Sequence, residues 1–221
     1  MIIVHHLENS RSQRVLWLLE ELGEPYEVKR YDRDKKTNLA PAALLKVHPL
    51  GKSPVIEENG KVIAETGTIF EYLLKRTDNN LRINENDDAY WRHQYWLHAA
   101  EGSFAPMMII ALLLGRIENA PLPFFAKPIA KKLVKAVRNG YVDHTTKALY
   151  DYAEDTLGKS EWLCGEKFSA ADIIMSFPFE AFSARGDLAK YPNITGFLKR
   201  IHARPGYKAA LESGGPYGIG R

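Results

Sequence analysis

The opening thirty residues constrain this chain more than any other stretch. Ile2, Ile3 and Val4 form a β-branched run that reads as a buried strand. Val15, Leu18, Leu19 and Leu22 then recur at i, i+3, i+4 and i+7, which places apolar side chains on one face of a helix. Gly23 and Pro25 end that helix. The alternating "YEVKRY" of Tyr26–Tyr31 is a second strand. Strand, helix and strand in so short a span make a βαβ unit, and its two strands are expected to be parallel.

A polar loop and a short helical stretch around Ala42–Lys46 follow. Val55-Ile56 and Val62-Ile63 then flank Asn59-Gly60, the strongest short-range signal for a hairpin. From Thr66 the apolar period becomes helical, through Ile69, Phe70, Leu73 and Leu74. "TDNNLRINENDD" (Thr77–Asp88) holds only two apolar residues and reads as a domain boundary. Everything beyond it reads as helix: Asp88–Gly115 with a kink at Pro106, Phe124–Leu157, Ser169–Ala184, Asn193–Ala203 and Tyr207–Ser213. The expected organisation is an α/β domain over 1–77 (βαβ-α-ββα), a linker over 78–87 and an all-α domain over 88–221.

Composition excludes several classes. A net charge of +3 over 221 residues is too small to argue for nucleic acid. The locally basic "KPIAKKLVKAVR" (Lys127–Arg138) interleaves Ile129, Leu133 and Val137 at helical spacing, which reads as a solvated helix face. The single cysteine, Cys164, rules out an internal disulfide and a cysteine-based zinc cluster; beside Trp162 and Leu163 it reads as a buried structural thiol. "MIIVHHLENS" lacks the apolar core and cleavage site of a signal peptide. "MMIIALLLG" (Met107–Gly115) is nine residues, about half a membrane span. A cytoplasmic, soluble protein with no membrane partner is expected.

Two places carry the chemistry of interest. "NSRSQR" (Asn9–Arg14) puts two hydroxyls where the first helix starts. Ser10 and Ser12 are suited to cap the helix or to hold an anion at its N-terminus. "FSAADI" contains Ser169-Ala-Ala-Asp172, a capping box, with Phe168 and Ile173 placed for the hydrophobic staple. Its expected role is folding.

The order of elements, with "NSRSQR" at the first strand–helix junction, "LGKSPV" before the hairpin, "ETGTIFEYL" after it and "FSAADI" in the second half, resembles the cytosolic glutathione S-transferase family across nearly the whole chain. The resemblance is to serine-type members, closest to fungal and bacterial ones, and implies a thioredoxin-like N-terminal domain followed by a helical one. It implies glutathione as co-substrate, no metal, a hydrophobic electrophile and a homodimer. It also implies that Ser10, four residues before Arg14, activates the thiol, with Asn9 and Ser12 as alternates. Lys52 would meet a carboxylate of glutathione. The backbone of Ser53, before a cis-proline at Pro54, would pair with the cysteinyl backbone. Glu65 would accept from the γ-glutamyl ammonium, and Thr66 would bind its carboxylate while also serving as a helix cap. Tyr95, Trp96, Phe104, Met107 and Met108 are candidates for the electrophile pocket. Two further readings stay open: a glutathione-dependent peroxidase, and a non-catalytic ligand-binding or scaffold member. Also open is whether "GGPYGIGR" (Gly214–Arg221) closes over a site.

Overall fold

The computed structural model describes residues 1–184 and 188–219. A four-stranded sheet has the order β2-β1-β3-β4. β1 (Ile2–Leu7) and β2 (Tyr26–Tyr31) are parallel, with Ile2 opposite Tyr26 and Leu7 opposite Tyr31. β3 (Val55–Glu58) runs antiparallel to β1, Ile56 facing Val4, and β4 (Lys61–Ala64) returns beside β3. Asn59 and Gly60 both have positive φ, 50° and 77°, as the two-residue hairpin of this twist requires. The crossover helix α1 (Gln13–Leu22) buries Val15, Leu16, Leu18 and Leu19 completely. A 3-10 turn occupies Ala42–Lys46, and α2 (Thr66–Leu74) follows the hairpin.

The second half is helical: α3 (Tyr90–Ala99), α4 (Ala105–Glu118), α5 (Lys127–Val137), α6 (Asp143–Leu157), α7 (Ala170–Ser183), α8 (Pro192–Ala203) and α9 (Pro205–Gly214). The thioredoxin-like α/β part is thus followed by an all-α part. Both long helices expected from the sequence are interrupted by a wide π turn, at Ala100–Phe104 and at Arg138–Val142. Pro106 has no N–H to offer the preceding turn, and its ring crowds that carbonyl. The wide turn just ahead of it absorbs the misfit. The path Tyr90–Glu118 is longer than the apolar run Met107–Gly115 suggested. At 29 residues, with a mean hydropathy of 1.6 in its most apolar window, it has the length and composition to cross a membrane.

One core joins the two parts. Trp17 of α1 stands 5.7 Å from the Phe168 ring and 5.1 Å, edge-on, from Tyr207 of α9. Ahead of α7 the buried Asp172 carboxylate accepts the Ser169 N–H at 2.8 Å, the Ser169 hydroxyl at 3.1 Å and the Leu163 N–H at 2.9 Å. The capping box therefore also ties the preceding loop to the helix. Cys164 is buried, and burial pushes its thiol up to about 12, so it is inert at neutral pH.

Candidate active site

Between β1 and α1 the chain turns through Asn9, whose φ of 47° is left-handed, a conformation that asparagine tolerates. Neither serine hydroxyl caps α1. Ser12 occupies the cap position, but its Oγ turns back to the strand, 2.9 Å from His6 Nδ1 and accepting the Leu7 N–H at 3.3 Å. Ser10 Oγ lies 2.8 Å from Ser12 Oγ and accepts the Ser12 N–H at 3.3 Å.

The direction of these protons follows from His6. Burial, helped by the nearby Arg30 charge, lowers its pKa to about 4, so the ring is neutral at pH 7. A hydrogen bond to the Gly214 backbone raises its basicity, which marks the ring as donor there and leaves Nδ1 as an acceptor. Ser12 then has two inward acceptors for its only proton, His6 Nδ1 at 2.9 Å and the Leu7 carbonyl at 3.3 Å, and neither lies toward Ser10. Ser10 keeps a proton that points to Ser12 in the unliganded chain and is free to turn toward an anion.

Beside this loop lies a narrow groove lined by Arg11, His48, Lys52, Ser53, Glu65 and Thr66. The Ser53-Pro54 bond is cis. Ser53 Oγ donates to the His5 carbonyl at 2.7 Å and accepts the Leu7 N–H at 3.2 Å, so its side chain holds it to β1. Glu65 has φ 72° and ψ 129°, a sparsely populated conformation of the kind concentrated at ligand sites. Because Glu65 takes the cap position, Thr66 is the first helical residue rather than the cap. That correction leaves the Thr66 N–H among the open amides of the first turn.

A partly buried ion cluster, with Arg14 at its buried end, joins the loop to the helical part. The Arg14 guanidinium donates to the Ile174 carbonyl at 2.6 Å and to Glu101 at 2.5 Å, and Arg11 donates to the other Glu101 oxygen. Burial pushes the Glu101 carboxyl up, but the two guanidiniums outweigh it and hold it below the usual glutamate range. The tail docks here too. Gly218 N–H donates to Asn9 Oδ1 at 2.6 Å, and the Tyr217 hydroxyl donates to Glu180 at 2.9 Å. Gly220 and Arg221 lie outside the described residues.

Arg11, Met108, Leu112, Phe177 and Ile219 line an apolar cavity of about 360 Å³ between the loop, α4, α7 and the tail. A second cavity of about 260 Å³, between α4, α6 and α7, shares Met108 and Ala181 with it. Of the sequence's pocket candidates, Phe104, Met107 and Met108 line the second cavity. Trp96 is fully buried in the core, and Tyr95 packs against Tyr152 on another face.

The glutathione S-transferase N-terminal domain model matches residues 1–75, and a C-terminal domain model of the same family matches 121–214. Glutathione S-transferase 3 of Schizosaccharomyces pombe is 35% identical over 216 residues, covering 96% of this chain and 87% of that protein. Glutathione S-transferase 1 of Saccharomyces cerevisiae is 36% identical over 222 residues, covering 96% and 94%. A solved glutathione S-transferase from Actinobacillus pleuropneumoniae superposes with a TM-score of 0.79 at 35% identity, covering 96% of this chain and 92% of that one. The chain belongs to the glutathione S-transferase family. The fold class and enzyme class expected from the sequence stand with that family.

In this glutathione S-transferase the sequence motifs converge on one face: the Ser10 loop, the Lys52–Ser53 turn and the Glu65–Thr66 corner. Sequence reasoning missed Arg11, Glu101 and Phe177, and left the docking of the tail open. Glu101 was visible as a lone charge in the small-residue and apolar segment Ala99–Ala105, and Arg11 as one of two arginines in a polar turn. Nothing in their spacing, however, says that they meet.

Proposed function

We propose that this glutathione transferase ionises bound glutathione with Ser10 and directs the thiolate at a hydrophobic electrophile held in the cavity beneath Met108. The observation that carries this reading is the Ser10–Ser12–His6 chain, which leaves Ser10 as the hydroxyl with a proton to turn outward. A free thiol has a pKa near 8.5, and lowering it by two units takes about 2.7 kcal/mol. A hydroxyl donating to an anion supplies about 1.5–3 kcal/mol, and the positive end of α1 adds about 0.3–1 kcal/mol. Together these suffice. Asn9, bound to the tail, and Ser12, bound to His6, are the weaker candidates.

In this reading Lys52 meets the glycyl carboxylate, and the Ser53 main chain pairs with the cysteinyl backbone as an added strand would. Glu65 receives the γ-glutamyl ammonium. Thr66, with its hydroxyl and open amide, receives the adjoining carboxylate at the start of α2. Residues 1–77 bind glutathione, 78–87 connect, and 88–221 contribute the electrophile pocket, with Arg11 and Arg33 on its rim. No metal takes part. We assign the protein to the cytoplasm, as a homodimer.

Turnover of an aromatic halide and of cumene hydroperoxide, each with glutathione, tests the assignment. Ser10→Ala is expected to lower kcat/KM for the halide by about tenfold to hundredfold near pH 7, with little change in glutathione affinity. Halide turnover unchanged in the variant would remove Ser10 from the mechanism. Peroxide as the sole substrate would make the peroxidase reading the right one.

A further inference from the structure

The sequence reads Lys127–Arg138 as an ordinary solvated helix face, and the structure gives it a different character. Apolar side chains point outward at the tip of the α4–α5 hairpin. Phe124 is 86% exposed and Phe125 65%, while Leu113, Ile129 and Leu133 are each at least half exposed. Only 39% of the most apolar window of the Tyr90–Glu118 path is buried. These residues share a side of the hairpin. Leu114 of α4 packs with Val134 of α5 in a small separate core. On the helical wheel Leu113 and Ile117 lie to one side of Leu114. The row Ile129, Leu133, Val137 lies to one side of Val134, and antiparallel pairing brings both rows to the same face.

Charge sets the choice of partner. From Ala105 through Val142 the chain carries six cations (Arg116, Lys127, Lys131, Lys132, Lys135 and Arg138) and one carboxylate, Glu118. The whole chain, by contrast, has a net charge of only +3. The four lysines of α5 are exposed.

We propose that the tip of the α4–α5 hairpin docks on an anionic phospholipid surface, with Phe124 and Phe125 entering the acyl boundary and α5 lying in the interface. An exposed apolar row on a lysine-rich helix led by aromatic side chains is the pattern of such interfacial helices. The lysines answer the negative potential of an anionic leaflet. A nucleic acid would engage the lysines but leave the phenylalanines in water. A second copy of the chain seated here by a two-fold axis would set the same cations against one another. The attachment is peripheral, since the remainder of the fold is a folded enzyme with α3 built into its core.

Co-sedimentation of the full chain with vesicles tests this, comparing pure phosphatidylcholine with phosphatidylcholine containing phosphatidylserine. Binding to the anionic vesicles is expected to exceed binding to the neutral ones at least tenfold at low salt, and to fall as salt is raised. Phe124→Ser with Phe125→Ser should lower anionic-vesicle binding at least tenfold. Lys131→Glu with Lys132→Glu should erase the preference for anionic lipid. Both pairs change exposed positions, so melting temperatures should match the parent. Failure of the parent to bind anionic vesicles would overturn the proposal, as would binding of either variant to anionic vesicles at the parent's level. A halved mass of the double Phe variant by sedimentation velocity would also overturn it, and would reassign the face to a contact between copies.

Discussion

Glu101→Ala is expected to destabilise the folded chain by about 3–5 kcal/mol, the cost of leaving a buried charge without its partner. Arg14 is fully buried, and beyond Glu101 its guanidinium donates to the Ile174 carbonyl and, at 3.4 Å, to the Arg11 carbonyl. Those carbonyls solvate the cation but do not neutralise it. The same substitution frees Arg11, which lines both the polar groove and the apolar cavity, so loss of activity should exceed what unfolding alone explains. The cation is the source of the cost. Pairing Glu101→Leu with Arg14→Met should therefore recover most of the stability, since apolar replacements of buried ion clusters are often neutral. Urea unfolding of the three chains checks both statements. A single-variant loss below about 1 kcal/mol would show that water reaches the Arg14 site.

Asp172→Ala is expected to cost about 2–4 kcal/mol, because the Leu163 and Ser169 amides lose their acceptor in a buried setting. The cost should depend on pH, and its sign is unusual for a carboxylate. Burial pushes the Asp172 carboxyl up to about 6, against the opposing pull of the Leu163 and Ser169 donors. Between about pH 4 and pH 6 the folded chain therefore holds a proton that the unfolded chain has released. Stability contributed by this group is present below pH 4 and lost as pH rises through 6, by about 3 kcal/mol over the two units. The gap between parent and variant should be widest in acid and narrow toward neutrality. Glutathione affinity should not change. Equal melting temperatures at pH 4.5 would refute the structural role of the box.

What the sequence made legible was local. The apolar spacing of Val15, Leu18 and Leu19 required α1, Asn59-Gly60 required the hairpin, and Ser169 with Asp172 announced the start of α7. Each is decided by residues within a turn or two of one another. What it hid depends on packing. The meeting of Arg14 with Glu101, 87 positions apart, exists only once α1 docks on the helical part. The π turns add a residue where neighbouring helices demand it, and an apolar period does not record that. Trp96 looked like a pocket residue because aromatic stripes occur in pockets and cores alike; its ring is stacked on Tyr152 of α6 and packed beside Phe104, contacts that its own spacing does not announce. The direction of the Ser12 hydroxyl, back to His6 instead of forward to the helix amides, is a rotamer set by strand and helix together. The tail's bond to Asn9 joins the two ends of the chain, and neither end signals the other.

The most direct test of the thiol-activation account is a pH titration of the ultraviolet thiolate absorbance of enzyme-bound glutathione, in the parent and in Ser10→Ala. The account predicts a parent midpoint about two units below that of free thiol, moved back up by one to two units in the variant. A low midpoint that Ser10→Ala leaves in place would contradict it and hand thiolate stabilisation to Asn9, Ser12 or the α1 terminus. No bound thiolate in the parent would contradict it more deeply and favour a chain that binds without catalysing.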